Sequence, residues 1–143
     1  MDIRLKGDRI TDNNHIARYC RPSQIDNGKI QASAFFLRED EDGLSVNWLD
    51  FLNCTDRDSE VCALKLIYSN KFSVGKTAKI AIIQVGQMCN KVRMESHDRR
   101  NLSVVHAPSF DDESHSEIYN LRPDNELIAE LILETILESY PAR

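Results

Sequence analysis

From Ala78 to Met88 the chain reads Ala-Lys-Ile-Ala-Ile-Ile-Gln-Val-Gly-Gln-Met, a β-branched and almost unbroken apolar run. A strand with one wet face alternates apolar and polar residues, whereas a strand covered on both faces has no polar side to show. The run therefore predicts a strand inside a sheet, with other elements packed above and below it. Lys91 to Glu95 is expected to extend this strand or to pair beside it. A chain of 143 residues has the size of one domain. At that size about two-thirds of the unfolded surface can be buried, enough for a core without metal or disulfide support.

Helices can be placed around that strand. Asp58-Ser59-Glu60 opens one, with acidic side chains at its positive end, and Val61, Leu64, Ile67 and Tyr68 fall on one face. A longer helix is expected from Asp124 to about Tyr140. Its Leu127, Ile128, Leu131, Ile132, Ile136 and Leu137 form a wide apolar arc, and Glu126, Glu130, Glu134 and Glu138 recur every four residues opposite. A short capped helix is expected between Thr11-Asp12 and Cys20, stopped by Arg21-Pro22. Further strands are expected at Lys29–Leu37, Leu44–Trp48 and Leu102–His106, while Trp48–Leu52 suits either a strand end or a short helix. Several strands with separated helices give an α+β fold: a single small domain over 1–143, its mostly antiparallel or mixed sheet packed by a long C-terminal helix.

The charge balance narrows the partners. Eighteen Lys+Arg stand against 23 Asp+Glu, a net charge of −5, so nucleic acid is not expected as a main ligand. No stretch approaches the ~18–20 apolar residues of a membrane helix, and Leu127–Leu137 is broken by Glu130 and Glu134. Met1 to Asp8 has no apolar leader segment, so a cytoplasmic location is expected. Cys20, Cys54, Cys62 and Cys89 contain no C-x-x-C pair and are read as reduced thiols.

Motif searching excludes more than it selects. Gly75-Lys76-Thr77 ends like a phosphate-binding loop, but Asn70 stands where the first glycine belongs, and a helix precedes it where a strand should. No G-x-S-x-G elbow is present, and Ser114 beside His115 is no dyad, because neighbouring side chains of an extended segment point apart. His106, Asp111 and His115 are the residues that could share a zinc or manganese ion, although their spacing crosses a loop and fixes no geometry. No cofactor is expected. Cys20 sits between Arg18 and Arg21, which would activate a thiol if they were close, although core packing is the simpler role. Arg99-Arg100, with His97 nearby, forms a small basic knot.

Three segments together carry a resemblance: His15-Ile16-Ala17-Arg18-Tyr19-Cys20-Arg21-Pro22, Ser45-Val46-Asn47-Trp48-Leu49, and His106 through Ser114-His115-Ser116. In this order, across almost the whole chain, they resemble a group of small uncharacterised bacterial proteins. The resemblance implies a bacterial cytoplasmic protein and supplies no mechanism. Two functions are open. The first is a small accessory module that docks on a protein partner through Glu126, Glu130, Glu134 and Glu138. The alternative is an enzyme or small-ligand binder. Its anion pocket would set His15, Arg18 and Tyr19, on one helical face, against the His106–His115 loop with Ser114 and His115.

Overall fold

The structure is a computed structural model that describes residues 7–143. The apolar run from Ala78 to Met88 contains β5 (Lys79–Gln84), which lies inside the sheet between β1 (His15–Cys20) and β8 (Ile136–Pro141). Ile80, Ala81, Ile82 and Ile83 are all buried because they feed two cores in turn. Ala81 and Ile83 join one, and Ile80 and Ile82 the other.

Beyond β1 the sheet continues through β4 (Leu44–Trp48) and β7 (His115–Tyr119) to β6 (Ser103–His106). The order is β6-β7-β4-β1-β5-β8, and every adjacent pair is antiparallel. The β6 edge is closed by the chain ahead of β1, since Ile10 donates to Val104 O and His106 donates to Asp8 O. A small separate hairpin joins β2 (Ile25–Asp26) and β3 (Lys29–Ile30) through Asn27-Gly28, both at positive φ.

One face of the sheet carries α1 (Arg57–Lys71), whose Val61, Leu64 and Tyr68 pack on Ala17, Ile80 and Ile82. Asp56 caps α1 by accepting from Ser59 N–H at 2.8 Å. The other face carries α2 (Val85–Glu95) and α3 (Asn125–Leu133), with Met88, Val92, Ile128 and Ile132 against Ile16, Val46 and Ile118. The α+β expectation stands.

Four local expectations do not. Residues 12–20 are not a helix but contain β1. Ile16 and Cys20 face one core and Ala17 and Tyr19 the other, so burial on both sides removes the alternation that marks a strand. Lys29–Leu37 is β3 followed by a 3-10 turn at Ala32–Phe35. The apolar run turns helical at Val85, and 91–95 belongs to α2. Gly86 is needed there, because a Cβ on it would lie 2.9 Å from Asp12 Cβ. The long C-terminal helix stops at Leu133, where Thr135 turns back to bond Ile132 O, and the chain returns as β8.

Candidate functional site

Strands β1 and β4 pair only at Ile16–Trp48 and Ala17–Asn47 and then part. Past Ala17, β1 keeps its partner β5 but has no strand on its other side, so carbonyls there need other donors. The Arg18 side chain enters this gap. Its Nε–H donates to Ala34 O and one Nη1–H to Ser45 O, both at 2.8 Å. A guanidinium has five N–H groups. Among the described residues the other three meet no carboxylate within ion-pair distance. Burial lowers the Arg18 pKa, while Cys20, Tyr68 and Glu41 pull it back up. An arginine stays charged through such a shift.

The gap is a cavity of about 160 Å³ lined by Arg18, Tyr19, Ser45, Tyr68, Lys71 and His115, among others. It adjoins a hollow of about 430 Å³, with which it shares Arg18, Arg21, Arg38 and Ser45. Tyr19 closes one side by stacking on Phe72, with ring centroids 4.6 Å apart. The lining is cationic although the chain carries a net −5.

Beneath the cavity lies a buried polar network that fixes its shape. Asn47 Nδ2 donates to both carboxylate oxygens of Asp112, at 3.0 and 2.8 Å, and to Ser114 Oγ at 2.7 Å. Tyr68 OH donates to Asn47 Oδ1 at 2.9 Å, and Lys71 Nζ donates to Asp112 Oδ2 at 3.0 Å. Burial alone would push the Asp112 carboxyl up. Hydrogen bonds from Lys71, Asn47 and Ser114, with the Lys71 charge, outweigh it and hold the group below its ordinary value. Burial first, and then the Asp112 charge, push the Tyr68 hydroxyl up, so it stays a donor. Burial also pushes the Cys20 thiol up to about 12 against the opposing pull of Arg18, so Cys20 is an inert core residue.

His115 has a defined ring orientation. Its Nδ1 lies 2.8 Å from Ala107 O and its Nε2 lies 3.1 Å from Ser45 Oγ. The strand register explains the meeting. Asn47 faces His115 across β4 and β7, and Ser45 faces Glu117, so Ser45 and His115 are diagonal neighbours on one sheet face.

Of the residues expected to form a pocket, Arg18, Tyr19 and His115 line the cavity, and Ser114 lies under it in the network. His15 does not join them. It is at the far end of β1, where its backbone N–H donates to Asp50 Oδ1 at 2.6 Å and its ring nitrogen lies 3.8 Å from Asp50 Oδ2. The helical face that was to group His15, Arg18 and Tyr19 is absent, since on a strand Arg18 points opposite to both.

The proposed metal grouping does not assemble either. His106 Nε2 is taken up with Glu113 O at 2.7 Å and Asp111 with the Ser109 hydroxyl, and no metal-ligating cluster occurs among the described residues. Arg100 of the basic knot is buried, bonding Asp98 and the carbonyls of Asn120 and Pro123. The acidic stripe is divided. Glu126 and Glu130 lie on α3, Glu134 ends that helix and pairs with Lys91, and Glu138 lies on β8 and pairs with Arg57. Sequence reasoning missed Ser45, Asn47, Tyr68, Lys71 and Asp112. One signal was available: Asn47 is a polar residue in the strand sequence Leu-Ser-Val-Asn-Trp, at a position whose side chain faces inward.

Comparison with protein-family models, with curated proteins and with solved structures finds no match. No described helix is long and apolar enough to cross a membrane.

Proposed function

We propose that the protein binds a small anionic ligand, through a phosphate or carboxylate group, in the cleft between β1 and β4. The observation that carries this reading is Arg18. Its guanidinium is buried in the gap, spends two N–H groups on backbone carbonyls, and belongs to a side chain that lines the cavity. A charge held this way gains from a matching anion that can accept two N–H groups side by side. Arg21 and Arg38, exposed on the adjoining hollow, add attraction at the entrance. The bacterial, cytoplasmic setting implied by the resemblance suits a ligand of this kind. Docking on a protein partner would draw on Glu126 and Glu130 of α3, with Glu134 at its end, while Glu138 lies on β8, so the four glutamates are not one helical stripe.

The test is titration of isotope-labelled protein with inorganic phosphate and with succinate, followed by NMR. Saturable shifts are expected at Arg18, Ser45 and His115, and Arg38→Ala should weaken the affinity several-fold. Binding should also weaken as salt rises. Absence of saturable shifts up to about 10 mM of either anion, a level that detects Kd values of about 1 mM, refutes the reading.

A further inference from the structure

We propose that Ser45 is a nucleophile and His115 its general base, acting on an ester whose acyl part carries an anionic group. The proposal rests on the anion-binding reading and goes beyond it to a reaction. A backbone carbonyl can only accept, so the 2.8 Å contact with Ala107 O places the proton of a neutral His115 ring on Nδ1. The lone pair is then on Nε2, facing Ser45 Oγ at 3.1 Å. The Ser45 hydroxyl becomes the donor of that bond, which is the arrangement that activates a serine. Nucleophile, base and orienting acceptor follow in line, with a carbonyl in the place that a carboxylate takes in serine hydrolases.

The surroundings fit the same chemistry. Ser45 and His115 are both half-buried and both line the cavity, so neither is sealed in a core. Arg18 bonds the Ser45 backbone carbonyl and lines the same cavity, so a fixed positive charge stands next to the residue that carries the nucleophile, where it favours an anionic substrate. Arg21 and Arg38 line the adjoining hollow, where the anionic end of the substrate would rest. His115 is further fixed by its strand, since its neighbour Ser114 is bonded to Asn47 and Asp112.

The step balances with water as the co-reactant. Ser45 Oγ bonds to the acyl carbon while its proton passes to His115 Nε2. The bond to the alcohol oxygen then breaks, and that oxygen takes the proton from Nε2. Water adds to the acyl carbon with its proton moving to Nε2, the bond to Oγ breaks, and the proton returns to Oγ. The products are an alcohol and an acid.

The probe is 4-nitrophenyl hemisuccinate, an activated ester with a carboxylate at its other end. Wild-type protein should release nitrophenolate in a burst, and peptide mapping by mass spectrometry should find the succinyl group on Ser45. Ser45→Ala should abolish the adduct, and His115→Gln should slow acylation at least about 100-fold. Circular dichroism and melting checks that both variants are folded. Because the adduct is mapped in the wild-type chain, a variant that fails to fold does not decide the outcome. Succinylation confined to lysines, or a Ser45→Ala protein that reacts at the wild-type rate, overturns the proposal. Phosphate shifts without acylation of Ser45 overturn the nucleophile and leave anion binding standing. Loss of both overturns both.

Discussion

Replacing Asp112 with Asn tests whether the buried network shapes the cleft. The side chain keeps its size, so no cavity is made, but a carboxylate that only accepts becomes an amide with one accepting and one donating end. In the wild type the Asp112 side chain is fully buried and takes hydrogen bonds from Asn47, Ser114 and Lys71. The new Oδ1 can keep one set of these bonds, and the new Nδ2 then faces a donor on the other side. At about 1.5–3 kcal/mol for each hydrogen bond to a charged group, losing two would cost about 3–6 kcal/mol. Lys71 is 21% exposed and recovers part of its share from water. The expected loss is therefore about 3 kcal/mol, read from urea unfolding at neutral pH with the m-value unchanged.

The pH dependence has a fixed direction. The folded pKa of Asp112 lies below its ordinary value, so stabilisation by the charged form is complete above the unfolded value of about 3.9. It fades as pH falls through the lower folded value, and the difference between wild type and variant should shrink there. A loss under about 1 kcal/mol at neutral pH, or a difference that grows on acidification, would show that the network does not hold this region together. Lys71→Met should be destabilising too, because it leaves the Asp112 charge buried without its cation.

Two further outcomes follow from packing and thiol chemistry. Ile132→Ala, at a fully buried position of α3, should cost about 2–5 kcal/mol in the same urea assay, and a loss below about 0.5 kcal/mol would make α3 peripheral. In native protein the exposed Cys62 should react first with a thiol reagent, and Cys20 should react only on unfolding; early modification of Cys20 would contradict its burial.

What could be read from the sequence depended on whether one element carried its own signal. The first helix did, through Asp58 and Glu60 in its first turn and Val61, Leu64 and Tyr68 at helical spacing. The inner strand did too, because Ile80 to Ile83 leave no polar face. Segment 12–20 misled because Thr11-Asp12 and Arg21-Pro22 look like the two ends of a helix, while in the fold Ile16, Ala17 and Cys20 serve two cores on opposite sides of a strand. The last helix misled because glutamates at every fourth position continue across Thr135, where the backbone turns without a Gly or Pro to mark it. Arg18, Tyr19 and His115 were legible as polar residues in promising segments. Ser45 was not, since its pairing with His115 spans 70 residues and depends on the register of β4 against β7.

The short pairing of β1 with β4 makes the sheet two three-stranded leaves, β6-β7-β4 and β1-β5-β8, bound along a seam of two residue pairs. Ser45 and His115 belong to the first leaf, whereas Arg18 belongs to the second and reaches across to the Ser45 carbonyl. The contact between the Ser45 carbonyl and the guanidinium thus depends on the seam, not on the stiffness of either leaf. A substitution far from the cleft that spreads the leaves would part these groups while leaving every residue around them in place.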